Sequence, residues 1–281
     1  KATGALPILN TTQGGTQATV GERTDPNHAH LVLALPLLGD ANDVSNSVNN
    51  GSTTKTTSVS SAVSSSAVSN FYSGSYYFNG SSYINVSAQS DLSLQGDFTV
   101  ECWTYIDTNV SNGKQFSSQG YYTAGKDGNW YFGLSTSSGS NIVFYTYDGQ
   151  GSAEYVSAVL DGPTEDKWYH IAAVRIGTRV TLYVDGVAKA KGIISKGLDN
   201  GGVDGLTLGR ISQGGGSGSY GNLNGYIQDA RIYNGVGKYT SNFIPAATSP
   251  DILPDTPSGV SNTTKLTKIA QGSVSFDGSS F

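Results

Sequence analysis

The chain of 281 residues contains no methionine and a single cysteine, Cys102, and only 13% of its residues carry charge. One cysteine excludes an internal disulfide framework and any cysteine-based zinc site, so stability has to come from packing and backbone hydrogen bonds. A formal net charge of −5 offers no electrostatic footprint for DNA, RNA or an anionic membrane. Long apolar runs are missing too. The most apolar stretch, Leu31–Leu38 (LVLALPLL), holds Pro36 and is far shorter than the roughly 18 residues that a membrane-spanning helix needs. No helical periodicity persists beyond two turns. Nucleic-acid binding, membrane insertion and a helical fold are therefore all excluded as expectations.

What the chain has instead is turn and strand chemistry: 37 glycines, 17 tyrosines, and many Ser, Thr and Asn. Such a composition points to an all-β protein with numerous turns. It also begins the same pattern twice. Gly74–Tyr83 reads GSYYFNGSSY and Gly272–Phe281 reads GSVSFDGSSF, identical at six of ten positions, and a Thr-Thr-Lys precedes each copy (Thr53–Lys55 and Thr263–Lys265). A separation of about 200 residues is the size of a whole domain, too long for a solenoid repeat. The expectation is one module, then the first strand of a second, in a chain whose Lys1 start reads as a position inside a longer protein.

Texture divides the chain into five parts. Residues 1–44 mix polar turns with the LVLALPLL run. They read as an anchoring segment that docks on a partner, or as an extra strand on the module's own sheet. Residues 45–70, with Lys55 the only charge, read as a linker or as a strand lent to a neighbour. Residues 71–245 carry the strand signals, residues 246–271 form a proline-rich spacer, and residues 272–281 are the truncated second start. Within 71–245, Phe98–Ile106 alternates apolar and polar positions, and further strands are predicted at Trp130–Leu134, Ile142–Tyr147, Trp168–Ile176, Val180–Asp185, Leu206–Gly209 and Gly225–Tyr233. Gly177-Thr178 and Asp185-Gly186 supply hairpin turns. The pattern is that of a two-sheet antiparallel sandwich.

In order, FNGSSYINV, GDFTVECW, GKDGNWYF, DKWYHIAAVR, VTLYVDGV, LTLG and LNGYIQDARIY resemble the concanavalin A-like lectin/glucanase superfamily, nearest its laminin-G-like type. The resemblance covers residues 71–245. It implies a jelly roll of two antiparallel sheets, one concave, whose concave face and rim loops hold sugar in the lectins of the class. Asn234–Pro245 (NGVGKYTSNFIP) and Ala5–Thr12 (ALPILNTT) resemble stretches of marine bacteriophage structural proteins. That second resemblance implies a virion-surface location, as a fibre or capsid decoration. It also implies attachment to other virion proteins through the N-terminal segment, and a homo-oligomer, with a trimer among the forms such proteins take. A secreted or surface bacterial adhesin is the alternative.

Catalysis finds no support in the residues. Glucanases of the superfamily carry two carboxylates on one strand face, and a retaining pair stands about 5 Å apart. None of Glu22, Glu101, Glu154 and Glu165 has an acidic partner two residues on. Neither His28 with His30 nor His170 has a carboxylate at ligand spacing, and no Ser/His/Asp order or phosphate-binding loop occurs. Sugar recognition needs aromatic faces and hydrogen-bonding rims. The candidates are Glu101, Trp103 and Tyr105, which share one strand face, together with Tyr121, Tyr122, Trp130, Tyr145 and Tyr147. The tryptophans also read as core. No cofactor is expected, save a calcium ion that Asp127 and Asp148 could hold, since many laminin-G-like modules bind one. The expected partner is host-surface carbohydrate, bound weakly by each module and multivalently by the particle.

Overall fold

Alternation of side chains sorts the strands onto two faces. In the computed structural model, residues 27–43, 45, 52–70, 74–107, 114–119, 129–135, 141–147, 153–160, 166–195, 198, 205–210, 223–243 and 245 are described. Among them are fifteen strands and no α-helix. Strand β6 (Phe98–Ile106) buries Phe98, Val100, Cys102 and Ile106 between the sheets and turns Glu101, Trp103 and Tyr105 the other way. Strand β9 (Asn141–Tyr147) follows the same period of two, with Ile142 and Phe144 in the core.

One sheet has eight strands. Its order is β13 (Val187–Ile193), β12 (Arg179–Val184), β11 (Trp168–Ile176), β6, β15 (Asn224–Asn234), β4 (Ser75–Asn79) and β3 (Val63–Ser65), with β1 (Leu31–Leu35) also paired to β15. The second sheet runs β10 (Ala153–Val159), β9 (Asn141–Tyr147), β8 (Asn129–Ser135), β7 (Lys114–Gln119), β14 (Leu206–Leu208), β5 (Tyr83–Val86) and β2 (Thr57–Ser60). All strand pairs are antiparallel. Phe98 of the first sheet meets Phe144 of the second at 5.5 Å between ring centroids, and Trp130 stacks on Phe144 at 5.7 Å. With Phe78, Phe132, Ile171, Leu182 and Ile227 these rings form one core, each contributing about 1.5–3 kcal/mol by burial. The hairpins behave as their turn residues dictate: Asp185 and Gly186 both adopt positive φ, 49° and 73°.

Strand β15 carries a bulge. Gln228 sits opposite Trp103 and Arg231 opposite Glu101, so one extra residue intervenes, and Asp229 adopts φ 51° there. Ile227 faces the core before the bulge; Ala230 and Ile232 face it afterwards.

The N-terminal division differs from the expected one. Strand β1 lies wholly buried against β15 as part of the module's own sheet, while β2 pairs with β5 and β3 with β4. The segment expected to be a linker thus contributes an outer strand to each sheet. Two buried polar groups hold it. The Asp43 carboxylate accepts from the backbone N–H of Ala34 (3.1 Å), Ser45 (3.0 Å) and Lys55 (2.8 Å). Lys55, the lone charge of that segment, has its ammonium fully buried; it donates to the Val32 carbonyl and pairs with Asp91 at 2.6 Å. A composition rule misses such a clamp because a single residue makes it. The proline-rich spacer and the second start at 272–281 lie outside the described residues, as do residues 1–26.

A chain starting at residue 71 would lack β1, β2 and β3 and uncover Ala230 and Ile232. It should show no cooperative thermal transition by circular dichroism, whereas a chain starting at residue 27 should keep one. Equal melting of the two would refute the revised boundary.

Candidate functional site

The face of the eight-stranded sheet that points away from the core has two halves, and a single segment separates them. After β15 the chain turns back and lies across the sheet as a strap, residues 235–243. Thr99 Oγ donates to the Val236 carbonyl (3.1 Å) and accepts from the Lys238 N–H (3.0 Å). Tyr183 donates its hydroxyl to the Tyr239 carbonyl (3.1 Å). The Phe243 N–H donates to the Gly186 carbonyl (2.9 Å), and the Tyr239 and Phe243 rings stack at 3.5 Å. A Cβ at Gly186 would fall 1.9 Å from the Phe243 carbonyl, so this turn glycine also admits the strap.

Under the strap lies Glu101. Only 4% exposed, it accepts from Lys238 Nζ at 2.5 Å and from the Tyr239 hydroxyl at 2.8 Å, with His170 Nε2 at 3.7 Å. Across the bulge, Arg231 Nε lies 2.8 Å from Asp229 Oδ1. Burial pushes the Glu101 carboxyl up, but Lys238, His170 and Arg231 outweigh it and hold its pKa down at about 2. Burial lowers the His170 imidazole to about 4, with Lys238 and Arg231 acting the same way and Glu101 opposing them. Two carboxylates, two cations and a neutral imidazole thus share a dry pocket. Their geometry is that of an anchor, since every Glu101 oxygen is spent on the strap.

This corrects the expected placement of three candidates. Glu101 is roofed by the strap. Trp103, 5% exposed, is held among Leu38, Trp168 and an edge-on His170 ring 5.3 Å away. Trp130, 2% exposed, belongs to the core between the sheets. None can meet a ligand without displacing neighbours. Tyr121, Tyr122, Asp127 and Asp148 lie outside the described residues, as does the side chain of Tyr147.

Tyr145 does stand on an outward face, in company that sequence reading missed. In the seven-stranded sheet the register sets Tyr131 of β8 opposite Tyr145 of β9, and Tyr145 opposite Tyr155 of β10. The rings stack in a row, 4.8 Å and 11° between Tyr131 and Tyr145, then 6.4 Å and 17° to Tyr155. Burial and the neighbouring Tyr145 push the Tyr131 hydroxyl up to about 12, so it stays a donor. Tyr155, on the edge strand, is 65% exposed. The signal was present as WYFGL, IVFYTY and AEYV, with tyrosine at one parity in each, but only the register shows that they align. Tyr105, on the opposite side of the sandwich, belongs to a second aromatic row described below.

A two-sheet antiparallel sandwich with one outward face partly roofed and tyrosine rows left uncovered is the class that this geometry defines. Residues 78–237, more than half of the chain, match the family model described as the concanavalin A-like lectin/glucanases superfamily, and the chain belongs to that family. Similar solved structures share the fold. One is the binding domain of Paraclostridial Mosquitocidal Protein 1 (18% identity, TM-score 0.53, 74% of this chain and 49% of that one). Another is the botulinum neurotoxin serotype C1 binding domain (14%, TM-score 0.53, 74% and 49%). A third is domain 4 of AbnA, an extracellular arabinanase from Geobacillus stearothermophilus, in complex with arabinotriose (16%, TM-score 0.51, 74% and 94%). The chain spans about half the length of the two toxin domains. No curated protein matches the sequence.

Because the buried imidazole is kept neutral, unfolding takes up a proton between its folded pKa of about 4 and the ordinary histidine value near 6.5. Stability should therefore fall as pH drops through that window, with Tm decreasing by on the order of 5 °C. A second loss should follow below pH about 4.5 as the unfolded-state carboxyl of Glu101 protonates ahead of the folded one. His170→Phe keeps a ring against Trp103 and Phe243; it should erase the first loss and keep the second in Tm measured against pH.

Proposed function

We propose that the chain is a non-enzymatic carbohydrate-binding module that holds sugar on the Tyr131–Tyr145–Tyr155 row. The observation that carries this reading is the register: three tyrosines stand side by side on adjacent strands of one outward face, ending in a ring open at the sheet edge. Tyr155, the last ring of the stack, has an exposed side at the sheet edge for a sugar ring, and the row adds a line of hydroxyls for its polar edge. Family membership supports it, and so does the AbnA domain of the same fold, which was solved with arabinotriose. Contacts of this size bind weakly, and repetition on one particle would supply avidity.

The wider setting is part of the proposal. The resemblance of residues 5–12 and 234–245 to phage structural proteins favours a virion-surface protein joined to other virion proteins by its N-terminal residues. It also favours an oligomer whose modules touch host-surface glycans. A bacterial surface adhesin would use the same row. Calcium held by Asp127 and Asp148 would add to either.

The full chain, immobilised at high density on a glycan array with and without a chelator, should bind a restricted set of neutral oligosaccharides. Tyr155→Ala and Tyr145→Ala should each weaken the best of them about tenfold while leaving Tm within a few degrees. Silence across bacterial surface polysaccharides, or binding that both variants retain, would refute the tyrosine-row site.

A further inference from the structure

The half of the eight-stranded sheet that the strap leaves uncovered carries a second aromatic row. Register places Tyr77 of β4, Tyr226 of β15, Tyr105 of β6 and Trp168 of β11 directly opposite one another across four adjacent strands. Successive ring centroids are 5.0, 5.7 and 5.7 Å apart. The rings alternate, tilted at 44° and then edge-to-face at 81° and 60°, so no two of them are stacked face to face. All four are only half-buried, although the roofed row one pair further along the same strands, with Trp103, His170 and Gln228, is closed.

Among the described residues, the charged groups that act on the hydroxyls of this row are carboxylates. Asp166 and Asp107 act on the Tyr105 hydroxyl and Asp107 on that of Tyr226; burial first, and then these carboxylates, raise both hydroxyls. Asp166 is held in place by its N–H on the Ile106 carbonyl (2.8 Å) and Asp107 by its N–H on the Asn224 carbonyl (3.0 Å). The nearest cation in sequence, Lys167, lies over the Tyr169 ring at 4.8 Å, on a side chain that belongs to the core-facing set. Ring faces and carboxylates side by side attract an ammonium group twice over, by the ring quadrupole and by charge. They repel sialic and uronic acids.

We propose that this face is a second binding site, distinct from the Tyr131–Tyr145–Tyr155 row, that takes an ammonium-bearing saccharide, such as a chain of glucosamine units. It goes beyond the carbohydrate-binding reading of the first row and does not require it. A module with both sites would bridge two sugar chains on opposite sides of one sandwich.

Trp168 is half-buried while Trp103 and Trp130 are buried, so tryptophan fluorescence reports on this face. The full chain, titrated at mildly acidic pH with glucosamine hexamer, should show saturable quenching. N-acetylglucosamine hexamer, the same chain without the ammonium groups, should bind at least tenfold more weakly. The double variant Asp107→Asn, Asp166→Asn keeps the shape and should abolish that preference, and Tyr155→Ala should leave the quenching curve unchanged. Equal affinity for the two hexamers, or loss of glucosamine binding in Tyr155→Ala, would overturn the second site. The array result for the first row is read from Tyr155→Ala and Tyr145→Ala alone, so either site can fail while the other stands.

Discussion

One extra residue in β15 decides what each face of the eight-stranded sheet presents. A strand that kept perfect alternation from Ile227 would send Arg231 and Tyr233 into the core and Ala230 and Ile232 outward. The bulge at Asp229, with its left-handed backbone, reverses the parity halfway along. Apolar residues stay inside, and Asp229, Arg231 and Tyr233 come out beside Glu101. The buried charge cluster exists only because of that reversal. A cluster of this kind, dry and exactly balanced in sign only by its partners, would be costly if any member were left unpaired. The strap closes it with Lys238 and Tyr239.

The strap then divides the outward surface into a roofed half and an open half. Where it lies, carboxylate, imidazole and aromatic rings are consumed in structure. Beyond it, Tyr77, Tyr226, Tyr105 and Trp168 remain half in water, and on the other sheet Tyr131, Tyr145 and Tyr155 do so as well. Exposed tyrosines in rows are an expensive surface for a chain that needs only solubility, since each ring could have been polar at no cost to the core. Both proposed sites rest on this contrast between rings that are roofed and rings that are left open. The strap also occupies the stretch that joins the module to whatever follows it, so its grip on Glu101 fixes how the chain leaves the sheet.

Much of the fold could be read from the residues. Phe98–Ile106 and Trp168–Ile176 emerge with the bounds expected, and the other predicted strands within a residue or two, because alternation and turn chemistry are local properties. The hairpin at Asp185-Gly186 followed for the same reason. The N-terminal strands were harder. Thr57–Ser60 and Val63–Ser65 have no apolar alternation of their own and are strands because β5 and β4 offer free edges, with Lys55 and Asp43 clamping the connection. The site was less legible still. Glu101, Trp103 and Tyr105 do share a face, but nothing local says that residues more than a hundred positions later will fold over the first, that Leu38, Trp168 and His170 will close around the second, and that the third will be spared.

The sequence by itself therefore determined the class of fold and the strands of its centre, since each depends on residues within a few positions of one another. The tertiary structure alone decided which rings are core, which are roofed and which align into rows. The reason is geometric: side chains on neighbouring strands meet according to register, and register is set by pairings such as Tyr77 with Tyr226 that span some 150 residues.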